Sequence, residues 1–190
     1  VGENGYHSLN TLNGNLNIQF GKLNTNKLSS NGFDNVNMYG FPDKPLVMSQ
    51  IQTFNGQDWI ITRTKEITNN NFKICMQEEE KLNNGYHVFE EIGWMAVSKG
   101  SFNLDNMMFE SKNISLINHK FKSVSFNSNF ITEPLLFTKL SSFYGPNTAN
   151  TRIRNITNKQ FDVKVHEERS NDYEITHINE DVSYFCIVNN

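Results

Sequence analysis

Apolar and polar positions alternate in short runs along this chain. In FKICMQ (72–77), Phe72, Ile74 and Met76 fall on one side, and Lys73, Cys75 and Gln77 on the other. FDVKVHEE (161–168) has the same form, with Phe161, Val163 and Val165 set against Asp162, Lys164 and His166. A period of two is the pattern of a half-buried antiparallel strand. PLVMSQIQTF (45–54) and IGWMAV (92–97) are more continuously apolar and predict more fully buried strands. NNN (69–71) and NNG (83–85) predict turns, because Asn and Gly tolerate positive φ. No window carries the spacing of an amphipathic helix.

The pattern occurs twice. FDNVNMYGFPDKPLVMSQIQTFNG (33–56) lines up with FKSVSFNSNFITEPLLFTKLSSFYG (121–145), and RTKEITNNNF (63–72) with RIRNITNKQF (152–161). The alignment pairs Phe54 with Phe143, Arg63 with Arg152, Phe72 with Phe161, Glu78-Glu79 with Glu167-Glu168, His87 with His177, and Trp94 with Tyr184. Similarity this long within one chain means duplication. The expectation is an all-β protein of two tandem antiparallel β-sandwich domains, residues 31–100 and 119–190. Residues 1–30 read as an N-terminal extension and 101–118 as a linker that carries a strand at most.

The motifs KPLVMSQIQTF (44–54), EITNNNFKI (66–74) and EIGWMAV (91–97) carry a further message. With the weaker EPLLFTKLSSF (133–143), NITNKQFDV (155–163) and DVSYFCI (181–187), their order resembles the H-type lectin domain. The resemblance implies a six-stranded antiparallel sandwich that binds sugars as a homotrimer, with glycans or glycoconjugates as partners and a secreted or surface-exposed location. Members that bind N-acetylgalactosamine carry an Arg on one strand and a Trp-His pair beyond the alternating strand. Those places fall here near Trp59 and Glu79-Glu80, and in the second copy near Thr148 and Glu168-Arg169, so those sugar-reading residues are replaced. The runner-up expectation is a structural trimerising module of a fibre, virion or cell-surface assembly.

Composition narrows the field only a little. The 190 residues carry a net charge of −3 and no basic run, which argues against nucleic acid as a partner. No apolar stretch reaches membrane-spanning length, so membrane insertion is not expected. Cys75 and Cys186 lack a metal-ligand spacing and read as buried thiols.

The candidate chemistry lies in the duplicated charges. Two successive Glu on a strand point to opposite faces, so one of each pair must face inward or a neighbour. A buried carboxylate needs a partner. Arg63 and Arg152 recur on the preceding strands and are the expected partners, Arg63 for Glu78 or Glu79 and Arg152 for Glu167 or Glu168. The candidate ligand-binding set is Trp59, Arg63, Glu79, Glu80, His87, Arg152, Glu168 and His177. His87 and His177 each precede an acidic pair, Glu90-Glu91 or Glu180-Asp181, which makes Ca²⁺ the candidate metal and Zn²⁺ its rival. No cofactor is otherwise implied, and no nucleophile motif or phosphate loop points to an enzyme.

Overall fold

The computed structural model describes residues 4–189, and every regular element among them is a β-strand. The first seven strands are β1 (Gly5–Thr11), β2 (Gly14–Thr25), β3 (Asp34–Asn37), β4 (Leu46–Ile51), β5 (Ile60–Lys65), β6 (Asn71–Glu78) and β7 (Glu90–Val97). The next seven are β8 (Gly100–Leu104), β9 (Met107–Ile117), β10 (Lys122–Ser125), β11 (Leu135–Leu140), β12 (Ala149–Arg154), β13 (Gln160–Glu167) and β14 (Glu180–Asn189). Each set makes one four-stranded and one three-stranded antiparallel sheet. The four-stranded orders are β1-β2-β7-β4 and β8-β9-β14-β11; the three-stranded orders are β3-β6-β5 and β10-β13-β12.

The two halves also share their register. Val36 faces Phe72 and Val124 faces Phe161; Arg63 faces Cys75 and Arg152 faces Lys164; Ile51 faces Ile92 and Leu140 faces Val182. The segments 1–30 and 101–118, expected as an extension and a linker, hold β1-β2 and β8-β9. These strands complete the four-stranded sheets by pairing with β7 and β14.

Period-two patterning explains what is buried. Phe72, Ile74 and Met76 close one sandwich interior with Ile92 and Trp94. Phe161, Val163 and Val165 close the other with Val182 and Tyr184. Phe72 and Phe161 are fully buried, so truncating either to Ala costs about 3–5 kcal/mol. A third apolar cluster joins the halves. Leu16, Leu46 and Val97 meet Phe102 there, flanked by Met95 and Phe185. Cys75 and Cys186 are both buried and unbridged, and burial pushes each thiol up to about 12.

Candidate functional site

Glu78 ends β6 on the same face as Phe72, Ile74 and Met76, and therefore points into the end of the sandwich. His87 comes down from the β6–β7 loop onto it, with Nδ1 2.9 Å from Glu78 Oε1. The other ring nitrogen lies 3.5 Å from Glu90 Oε1 at the start of β7. Glu90 in turn accepts the backbone N–H groups of Asn55 at 2.7 Å and Gly56 at 2.8 Å, and the Thr53 hydroxyl. The second half builds the same clasp. His177 sits between Glu167, 2.5 Å from Nδ1, and Glu180, 3.3 Å from Nε2. Glu180 accepts from the N–H groups of Tyr144 and Gly145, both at 3.0 Å, and from the Ser142 hydroxyl.

A glycine makes room for each histidine. A Cβ on Gly56 would stand 2.5 Å from His87 Cε1, and one on Gly145 would stand 2.7 Å from His177 Cε1. The matched FNG and FYG triplets of the sequence are thus the loops that wrap the clasps.

The two clasps differ electrostatically. Burial alone would raise Glu180, but His177, Ser142, the Gly145 N–H and the charge of Arg63 overcome it and hold the carboxyl near about 2. Burial pushes His177 down, yet its bonds to Glu180 and Glu167 outweigh this and raise its pKa. Glu78, with His87 but no arginine, is raised by burial.

The sequence predicts that Arg63 pairs with Glu78 or Glu79, and it pairs with neither. The register sets Arg63 opposite Cys75 on the outer face of its sheet, whereas Glu78 points inward; side chains on opposite faces of one sheet cannot meet. Arg63 instead leaves its own half. Its Nη2 donates to Glu180 Oε1 at 3.2 Å and to the Ser142 carbonyl at 3.3 Å, while Nη1 donates to Gln77 Oε1 at 2.8 Å. The guanidinium lies 4.7 Å from the Phe143 ring centroid. Gln77 Nε2 donates to the Pro146 carbonyl at 2.6 Å, extending the seam. Arg63 is fully buried, so this is an internal ion pair between the halves. Arg152 is exposed and has no ion pair among the described residues; Glu167 faces inward to His177 for the same reason of register.

The other candidates divide between seam and surface. Glu80 Oε1 accepts the Thr148 N–H at 3.0 Å, and the Glu80 N–H donates to Glu168 Oε2 at 3.0 Å, a reciprocal pair across the seam. Glu79 is half-buried, and its N–H donates to the Trp59 carbonyl at 3.1 Å. Trp59 itself is 52% exposed and forms one wall of a cleft of about 330 Å³. Arg152, His166, Glu168 and Arg169 line the rest of it. Of the eight predicted residues, the structure gathers Trp59, Arg152 and Glu168 at this cleft. It places Arg63, His87 and His177 in the interior.

The sequence reading missed His166 and Arg169 as cleft residues. It also missed the basic trend that Lys164 and Arg152 add to their surroundings, where burial followed by these charges lowers the His166 pKa. A further inter-half cleft of about 730 Å³ is lined by Phe20, Met48, Phe137 and Phe185. Lys139 lines it too, its amine held down to about 7 by burial and by Arg63.

Among the described residues, one group could hold a cation. Ligand atoms of Asp58, Glu78 and His87 lie within 4.8 Å of one another. Glu78 Oε2 and His87 Nε2 have no hydrogen-bond partner. Two carboxylates and an imidazole suit Zn²⁺ better than the expected Ca²⁺, which prefers six to eight oxygens. In the second half, Asn147 stands where the first has Asp58.

No family model, curated protein or solved structure matches the chain. The likeness to H-type lectins rests on the sequence motifs alone.

Proposed function

We propose that this protein is a non-catalytic, lectin-like recognition protein that binds glycans or glycoconjugates outside the cell. The observation that carries the reading is the Trp59 cleft. A half-exposed indole offers a flat apolar face to the C–H side of a sugar ring. Arg152, His166 and Arg169 supply donors beside it, and Glu168 an acceptor. The volume, about 330 Å³, lies at the small end of ligand pockets and fits one or two sugar rings. Arg152 and Arg169 are the cations of the cleft, and of its two carboxylates Glu167 is turned inward to His177; the arginines favour an acidic saccharide, whose carboxylate or sulfate each can grip with two bonds.

A glycan array tests this. Binding concentrated on uronic, sialylated or sulfated glycans, and at least about tenfold weaker in Trp59→Ala, supports the reading. A blank array, or binding indifferent to Trp59, removes it.

A second reading is the structural assembly module. It is favoured by the fate of the duplicated residues: Arg63, His87 and His177 are spent on holding the fold and are closed to solvent.

A further inference from the structure

The contact between the two halves uses a surface that each half owns, but each surface is used only once. The first half offers a socket: the outer face of β5 and β6 with Arg63 and Gln77, bordered by Phe33. The second half fills it with the loop 141–148 between β11 and β12. Phe143 enters edge-on to Phe33 at 5.4 Å between centroids and lies beneath the Arg63 guanidinium. Thr148 donates its hydroxyl to the Glu78 carbonyl. Because the halves share their register, the second half owns the same socket and the first half owns the same loop.

Both of these counterparts are open. Phe54, the equivalent of Phe143, is 85% exposed, and Thr53 is exposed where Ser142 is buried. Arg152 is exposed where Arg63 is fully buried. Phe121 stands in the place of Phe33, already carrying a cation above its ring: Arg154 Cζ is 3.8 Å from the centroid. The charges are complementary. The open socket presents Arg152 and Lys164, and the open loop carries Asp58 in the position of Asn147 and wraps the Glu90 carboxylate.

We propose that a second copy of this chain docks head-to-tail, its 52–59 loop entering the open socket on β12 and β13. Phe54 of the second copy lies against Phe121 beneath Arg152. Arg152 reaches the Thr53 carbonyl and Glu90 of that copy, as Arg63 reaches Ser142 and Glu180. The contact is heterologous, so copies close into a ring if the rotation allows and extend into a chain if it does not. The inference rests on the assembly reading and supplies its partner and surface. It shares Arg152 with the saccharide cleft, so a docked copy and a bound saccharide compete for that side chain.

Sedimentation of the whole chain with two surface variants decides the matter. Phe54→Ser removes the insert and leaves the socket; Arg152→Glu does the reverse. The expected result is a concentration-dependent oligomer for the native chain, and self-association at least about tenfold weaker in each variant at unchanged thermal stability. An equimolar mixture of the variants should form a one-to-one heterodimer, since one retains each half of the contact. A native chain that stays monomeric at every concentration overturns both this contact and the assembly reading. An oligomer that neither variant weakens, or variants that do not complement each other, overturns this contact and leaves assembly through another surface standing. Array binding is read separately on Phe54→Ser, which leaves every cleft residue in place, and bears only on the saccharide reading.

Discussion

Arg63 and Glu180 lie 117 residues apart in sequence and meet at 3.2 Å in the interior, so that the charge of one half is neutralised only by the other. Glu180 is also the carboxylate that organises its own clasp. The seam between the halves and the end of the second sandwich therefore share one group.

Breaking that pair should be costly. Removing one partner of a buried ion pair leaves an uncompensated charge, at about 3–5 kcal/mol. Arg63→Ala and Glu180→Ala are each expected to lose stability of this order in denaturant unfolding. Arg152→Ala, at the exposed equivalent, should lose less than about 0.5 kcal/mol. Equal losses at positions 63 and 152 would sink the assignment.

The clasp glycines should resist any side chain. Neither Gly56 nor Gly145 has positive φ, so the obstacle is the imidazole above it rather than the backbone. Gly56→Ala and Gly145→Ala force the ring aside in a packed site and should cost about 1–3 kcal/mol. Gly32, with φ of 120° and open space around its Cβ position, makes a contrast, because a side chain there meets strain instead. Thermal melts of the Gly56→Ala and His87→Ala single and double variants would show coupling between the two positions; additive losses would refute it.

The second clasp should give stability a pH window. The folded pKa of Glu180, about 2, lies below its ordinary 4.5, so its contribution is present above pH 4.5 and lost as pH falls through about 2. That contribution is of the order of 3 kcal/mol. His177 is raised above 6.5, so its contribution is present below that pH and lost as pH rises through the folded value. Glu78, also raised, has its share complete below pH 4.5 and loses it as pH rises from there through its folded value, which tilts the optimum toward the acid side. Together Glu180 and His177 place the maximum between pH 4.5 and 6.5. His177→Gln should flatten the alkaline limb of a stability–pH curve while leaving the acid limb. An unchanged alkaline limb would count against the raised histidine.

Lys139 should stand out among the lysines. An amine with a pKa of about 7 is unprotonated about half the time at neutral pH, whereas ordinary lysines are almost wholly protonated. Limited acetylation at neutral pH followed by peptide mapping is expected to find Lys139 modified first. Labelling no faster than at Lys120 or Lys159 would show that the amine keeps its proton.

Much of this was legible in the sequence because duplication supplies its own control. The match of Phe72 with Phe161 and of Trp94 with Tyr184 set the register of the halves, and period two required one Glu of each pair to turn inward or to a neighbour while leaving open which. The partner of Arg63 was not legible. It depends on which outer face meets which loop, a long-range choice that strand periodicity does not encode. The strands in 1–30 were not foreseen, and 101–118, allowed one strand at most, holds β9 and most of β8, because GYHSLNT and GSFNL share little beyond their first Gly. β1 and β8 are edge strands, each with few side chains in the apolar core, Leu9 in β1 and Phe102 in β8, so most of their positions carry little patterning. His166 and Arg169 were missed because a cleft formed between halves has no sequence signature.

The third apolar cluster has a consequence for anyone who cuts the chain. Cleavage at Ser98-Lys99 would leave each fragment with its seven strands and its own sandwich interior, but with one greasy face uncapped. Met95 and Phe185 would be left looking into water across from where their partners had been. Such fragments should find each other again in solution and restore the seam as a two-piece protein, with Arg63 and Glu180 as the latch. The two-residue tether then acts only as a leash that keeps the pieces at high effective concentration. Co-expressed halves that never co-purify would show that the leash, rather than the greasy face, holds the molecule together.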